Sequence, residues 1–229
     1  MARELPIFPL PIVLFPGARQ PLHIFEPRYR QLLADCLARD HRFGIAHVAS
    51  AGEQAAEAAP RPGDIGCVAA IRSTHQLPDG RADILTEGER RFVLLEWRPG
   101  DRLYRLARVE EFDDDPVEPG EAGTLAADVR EGFLRLARAL STLTGREFDE
   151  PIELPADPTA LSFRVAASLE LEATAKRALQ AGRSTTARLR QLAALLGPLA
   201  VEAERRAVVR ERAKRNGRGG AHPQIERTT

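Results

Sequence analysis

Residues 4–30 read ELPIFPLPIVLFPGARQPLHIFEPRYR, and the punctuation of that stretch decides the fold. Apolar residues alternate with prolines until Glu26-Pro27, where the pattern turns helical. Proline fixes φ and has no N–H to give to a sheet ladder. Pro6, Pro9, Pro11, Pro16 and Pro21 are therefore expected at strand starts, edges or turns. Three short strands remain between them: Leu5–Phe8, Ile12–Phe15 and Gln20–Ile24. Pro16-Gly17 supplies turn chemistry. An apolar stretch punctuated in this way predicts the opening of a small, tightly turned barrel.

On the C-terminal side of that stretch, Pro27–Arg39 reads as a helix with proline at its first position, where a missing N–H costs nothing. Tyr29, Leu32, Leu33, Cys36 and Leu37 fall on one stripe of it. Strands are expected at Phe43–Val48, Ile65–Ser73, Ala82–Thr86, Phe92–Trp97 and Leu103–Phe112. The run Leu77-Pro78-Asp79-Gly80-Arg81 closes a hairpin, and Glu87-Gly88-Glu89 marks a bulge or bend. Ala49–Pro62 is small, acidic and proline-ended, the pattern of an exposed, mobile loop. Asp113-Asp114-Asp115-Pro116 reads as a solvated turn that ends the β region. Beyond it the spacing is helical. Leu125, Val129, Phe133, Leu136, Leu140 and Leu143 share a face up to a stop at Gly145. Asp157-Pro158 opens a short helix, another runs over Glu172–Gln180, and Ser184 caps a long last helix. In that helix Leu189, Leu192, Leu196 and Leu199 are expected on one side, with a kink at Gly197-Pro198.

LPIFPLPIVLFPG followed by PLHIFEPRYRQLL resembles the opening of the Lon substrate-binding domain, the N-terminal domain of ATP-dependent Lon proteases. Gly63-Asp64-Ile65-Gly66, the hairpin turn, and the set Ile84-Leu85, Gly88, Arg91 and Phe92 continue the resemblance. Asp157-Pro158, Leu161, Ser162 and Arg188-Leu189 extend it into the helical part. It covers roughly residues 4 to 200, and the order and spacing of its pieces carry it. Free-standing bacterial versions of the domain are the nearest likeness. The resemblance implies an α+β fold: a PUA-like β-barrel (a pseudo-barrel) with one packed helix, followed by a C-terminal helical bundle. The expected organisation is a barrel subdomain over 1–115, a helical bundle over 116–212 and a disordered tail over 213–229.

Composition agrees with a globular chain and selects no charged partner: 33 basic and 33 acidic residues balance over 229 positions. Cys36 and Cys67 form no CxxC pair, which predicts buried free thiols in a reducing compartment. No run approaches the roughly 18 apolar residues of a membrane span. A cytoplasmic protein is expected.

The chemistry-bearing residues do not assemble into a reaction centre. His23, His41, His47, His75 and His222 have no metal-ligand spacing, and no serine sits in a nucleophile elbow. Lys176 and Lys214 are the only lysines; neither belongs to a phosphate-cradling Gly-x-x-x-x-Gly-Lys loop. The resemblance thus implies the family's binding half without its ATPase and protease, no cofactor, and no enzyme activity. The expected partners are unfolded or client polypeptides, together with a separate protease or chaperone. Phe15, Leu22, Phe25, Tyr29 and Phe92, with Arg28 as a polar anchor, are the candidate peptide-binding residues. Glu26, Arg28, Arg91 and Arg164 either tie the helices to the barrel or line a groove. The alternative function is RNA binding, which PUA-like barrels perform elsewhere. Nothing beyond an arginine-rich C-terminal end speaks for it.

Overall fold

The structure, a computed structural model, describes residues 2–49, 59–117, 120–145 and 152–217. Six strands and five helices follow in order: β1 (Ala2–Leu10), β2 (Arg19–Ile24), α1 (Pro27–Leu37), β3 (Arg42–His47), β4 (Ile65–Gln76), β5 (Ala82–Arg98), β6 (Arg105–Phe112), α2 (Glu121–Thr144), α3 (Pro158–Ser168), α4 (Ala173–Ala181) and α5 (Thr185–Gly217). The strands lie in the order β2-β5-β4-β3-β1-β6, and a further β5–β6 pairing closes five of them into a ring. Among the described strands only β1 and β3 run parallel, and β2 with α1 forms the crossover between them.

Prolines are more deeply placed than their chemistry first suggests. Pro6 and Pro9 both lie within β1, between two neighbouring strands. The register explains how. β1 pairs with β6 only over Ala2–Ile7 and with β3 only over Ile7–Leu10. Pro6 and Pro9 therefore each have a partner strand on one side alone, and neither missing N–H breaks a two-sided ladder. Ile12–Phe15 is not a strand but an irregular connection that carries Leu14 and Phe15 into the interior.

The segments Ala82–Thr86 and Phe92–Trp97 join into one strand, β5, which changes partner midway: β2 over Ala82–Glu87, then β6 over Arg91–Arg98. Gly88 sits at the changeover. Its N–H donates to the Ala18 carbonyl (2.9 Å) and its carbonyl accepts from the Gly17 N–H (2.8 Å). A Cβ there would stand 2.2 Å from the Phe15 carbonyl oxygen, so only glycine admits this approach. The β4–β5 register slips beside it, between Cys67 and Ala69. The hairpin turn before β5 forms as its residues dictate: Leu77 N–H to the Arg81 carbonyl (2.8 Å), and Gly80 at φ 81°.

All five strands of the ring contribute to one cluster, Leu5, Ile7, Ala46, Val68, Phe92, Leu94, Ala107 and Val109. A second cluster seats α1, through Tyr29, Leu32, Leu33 and Cys36, on Phe8, Phe43, Ile45 and Ile84. The third belongs to α2–α5, and Phe15 enters it from the β1–β2 connection, 6.3 Å from the ring of Phe163. Caps behave as their residues predict. The Asp157 carboxylate accepts from the Ala160 N–H (2.7 Å), the Ser184 hydroxyl from the Ala187 N–H (3.2 Å), and Gly145 ends α2 at φ 72°. α5 is one helix through Pro198 to Gly217. Its buried face departs from expectation, continuing Leu189, Leu192 and Leu196 into Ala200, Ala203 and Ala207 and leaving Leu199 43% exposed. Of the expected loop and tail, residues 50–58 and 218–229 lie outside the described residues.

Candidate functional site

The free edge of the sheet is at β2, outside the closed ring. Among the described strands, β2 pairs with β5 alone, so its other edge offers unpaired backbone groups. Strand alternation turns Ile24 and Leu22 inward and leaves Arg19, Pro21 and His23 outward. Pro27 then starts α1, and Phe25 is left at the strand-to-helix corner with 58% of its surface exposed. Beside this corner lies a groove of about 470 Å³, walled by β1 and its outgoing end (Phe8, Leu10), by Leu22 and Phe25, by Tyr29 of α1 and by Leu103 before β6. Its polar groups are engaged. Glu26 is the N-cap of α1 yet caps no N–H; its carboxylate instead accepts from Arg28 (2.9 and 2.7 Å). The Arg28 guanidinium lies 4.7 Å from the centre of the Tyr29 ring, which stacks on Phe8 at 3.8 Å. Burial raises the Tyr29 phenol above its ordinary value, against the opposing pull of Arg28. Burial and then the hydrogen bond to Asp35 (2.6 Å) push the Tyr104 hydroxyl up to about 12. Both phenols are neutral at physiological pH, so the charges on the otherwise apolar lining are the Glu26–Arg28 pair and Arg105, whose guanidinium lies 5.5 Å from the centre of the Trp97 ring. Among the described residues that line it, no serine, cysteine or threonine stands beside a base.

The structure sorts the six candidate residues into two sets. Leu22, Phe25, Arg28 and Tyr29 come together at the groove. Phe15 and Phe92 do not: both are completely buried, Phe15 in the helical cluster and Phe92 in the ring's filling. Their apolar character was legible in the sequence, but which side of the chain they face depends on the irregular Pro11–Ala18 path and on the β5 bulge. Leu10, Leu103 and Tyr104 were missed as groove residues because they come from segments distant in sequence.

A second cluster of functional-looking residues is a fastening. Arg91 of β5 and Arg188 of α5 both bind the Asp114 carboxylate, and all three side chains are at least nine-tenths buried. Arg91 also donates to the carbonyls of Gln180 (2.8 Å) and Gly182 (2.6 Å), at the C-terminal end of α4. Arg188 donates to Gly182 O (3.0 Å) and Ser162 Oγ (2.8 Å), and its guanidinium lies 3.9 Å from the Phe163 ring centre. Two cations on one carboxylate leave a net positive charge, which the exposed carbonyl end of α4 offsets. The aspartate run is therefore not a purely solvated turn: Asp114 is the buried centre that ties β5 to α5. Burial lowers the Arg91 guanidinium below its ordinary value, with Asp114 pulling the other way. Gln180 adds a neutral tie, donating from Nε2 to the Leu14 carbonyl (2.6 Å).

The chain belongs to the LON substrate-binding domain family: the family model described as "ATP-dependent protease La (LON) substrate-binding domain" matches residues 4–197. Lon protease 1 of Myxococcus xanthus is 27% identical over 200 residues, covering 84% of this chain and 24% of that protein. This chain thus spans under a quarter of the length of the curated Lon relatives it matches. Among solved structures, a Lon N-terminal domain protein from Xanthomonas campestris superposes with TM-score 0.60 at 27% identity, covering 84% of this chain and 98% of that one. The N-terminal domain of Mycobacterium avium complex Lon protease superposes with TM-score 0.63 at 19% identity, covering 85% and 98%, a likeness of fold alone. No described helix is long and apolar enough to cross a membrane.

Proposed function

We propose that this chain is a non-catalytic polypeptide-binding module of the Lon substrate-binding type that holds unfolded client segments in the groove beside β2. The observation that carries this reading is the combination of an unpaired strand edge with an apolar groove and an exposed Phe25. An extended chain can pair with the edge through its backbone while alternate side chains enter the groove. In this reading the strand ring is a PUA-like barrel over 1–115 and the helices are a bundle over 116–212. The protein works in the cytoplasm, handing clients to a separate protease or chaperone.

Fluorescence anisotropy with a labelled neutral, apolar-rich peptide tests the reading. Binding should weaken on Phe25→Ala with an unchanged melting curve, and on Leu22→Ala with a modest loss of stability, since Leu22 also packs against the cluster that seats α1. Affinity should change little between 50 mM and 200 mM salt, since apolar contacts release few counterions. Binding to single-stranded RNA that falls by orders of magnitude over that salt range, with no peptide binding, would replace this function with the RNA-binding alternative.

A further inference from the structure

A second cleft, of about 390 Å³, opens at the other end of β2, between the β1–β2 connection, α3 and the start of α4. Three cations line it: Arg19 of β2, Arg164 of α3 and Lys176 of α4. No carboxylate does, and among the described residues none of the three has an ion pair. Glu170 and Glu172 lie nearby in sequence, flanking Leu171 of the lining, but neither pairs with these cations. In contrast, Arg3, Arg42, Arg72, Arg81, Arg90 and Arg98 each hold a carboxylate. Like charges gathered without a counter-charge repel one another and attract an anion. The walls between them are apolar, with Ile12, Val13, Leu14 and Leu171, so the fitting occupant is an anion on an apolar stem. Ala173, the first residue of α4, also lines the cleft. The helix dipole therefore adds in the same sense, and the N-cap Glu172 side chain makes no capping bond.

The cleft adjoins the groove. Pro11 lines both, and β2 runs between them, with Arg19 and Gln20 at the cleft and Leu22 and His23 at the groove. An extended chain on the edge of β2 advances about 3.3 Å per residue, so a segment held at His23 reaches Arg19 about 13 Å further on. We infer that the polypeptides this chain prefers carry acidic residues about four positions from an apolar segment: the apolar part fills the groove and the acidic part the cationic cleft. This rests on the polypeptide-binding reading above. A continuous phosphate backbone fits less well, because it carries a charge at every step, whereas the groove half of the path is walled by Phe8, Leu10, Leu22, Phe25 and Leu103, and of its two arginines Arg28 is already held by Glu26.

The test uses the full chain and fluorescein-labelled 12-residue peptides. One joins a Phe- and Leu-rich half to a Glu- and Asp-rich half; the others replace the acidic half by Ser and Gln, or the apolar half by Ser and Gln. The apolar–acidic peptide should bind roughly tenfold more tightly than the apolar–neutral one at 50 mM salt. The triple variant Arg19→Gln, Arg164→Gln, Lys176→Gln keeps the side-chain stems and breaks no ion pair. It should abolish that preference while leaving the apolar–neutral peptide's affinity and the melting temperature unchanged. Equal affinity for the two apolar peptides, or a preference that survives the triple variant, overturns the inference and leaves the polypeptide reading standing. No binding of the apolar–neutral peptide refutes the polypeptide reading itself. If tripolyphosphate or the acidic peptide without its apolar half binds as tightly as the full peptide, the cleft is a plain anion site and the link to the groove is overturned.

Discussion

The Arg91–Asp114–Arg188 cluster and the Arg28–Glu26 corner are built from the same chemistry: guanidinium, carboxylate and an aromatic face. Their settings differ. In the first, both arginine side chains are 1% exposed and hold Asp114, backbone carbonyls at the end of α4 and, for Arg188, Ser162 Oγ and the Phe163 ring. In the second, Arg28 and Glu26 side chains are 35% and 38% exposed, and the aromatic ring they border faces an open groove. Burial therefore decides role. A cation removed from water is costly to leave unpaired and so becomes a structural lock, whereas a half-solvated pair is worth little to stability and leaves its surface available for contact.

The comparison can be broken most sharply at the lock. Asp114→Ala should strand two buried guanidinium groups and cost about 3–5 kcal/mol in urea unfolding. A loss below about 1 kcal/mol would mean that the cluster is solvated and no different in kind from the Arg28 corner. Phe92→Ala should cost about 3–5 kcal/mol as a core truncation, with the groove's affinity for an apolar peptide unchanged in the folded fraction. Gly88→Ala should cost about 1–3 kcal/mol, because the new methyl meets backbone at the Phe15 carbonyl rather than a side chain that can move aside. At the groove the sign of the result reverses. Phe25→Ala should leave stability within about 0.5 kcal/mol, yet weaken binding of the apolar–neutral peptide several-fold. A large drop in melting temperature would place Phe25 with the core instead.

The smallest expected change is in thiol reactivity. Burial pushes the Cys36 thiol up to about 12, with Asp40 and Asp35 adding to it, and burial likewise raises Cys67 despite the nearby Arg91. A raised thiol pKa keeps the unreactive protonated form at pH 8. Both cysteines should then resist alkylation in the native protein and react promptly in denaturant. Rapid native labelling of Cys36 would show that α1 lifts off the ring beneath the groove.

Much of the fold was legible because local chemistry and tertiary structure agree. Pro27 starts α1, Asp157 and Ser184 cap their helices, Gly80 turns the hairpin and Gly145 ends α2, each through bonds between residues a few positions apart. Leu22, Phe25, Arg28 and Tyr29 could be gathered from sequence for the same reason: they lie within one strand-to-helix corner. What failed depended on distant partners. Pro6 and Pro9 are admitted to a paired strand by the offset of β3 and β6 along β1. Phe15 is drawn into the helical cluster and Phe92 into the ring. Leu199 yields the buried face of α5 to Ala200, and Asp114 leaves solvent for two arginines that sequence places 23 and 74 positions away. Apart from the Ile12–Phe15 segment and the fusion of two expected strands into β5, sequence by itself determined the elements, their caps and the corner that opens the groove, because those rest on backbone conformation and short-range hydrogen bonds. Tertiary structure alone decided which aromatic side chains are core and which charges are locked, because burial is set by the whole set of surrounding elements, and burial is what fixes the energy of an apolar surface or a charge.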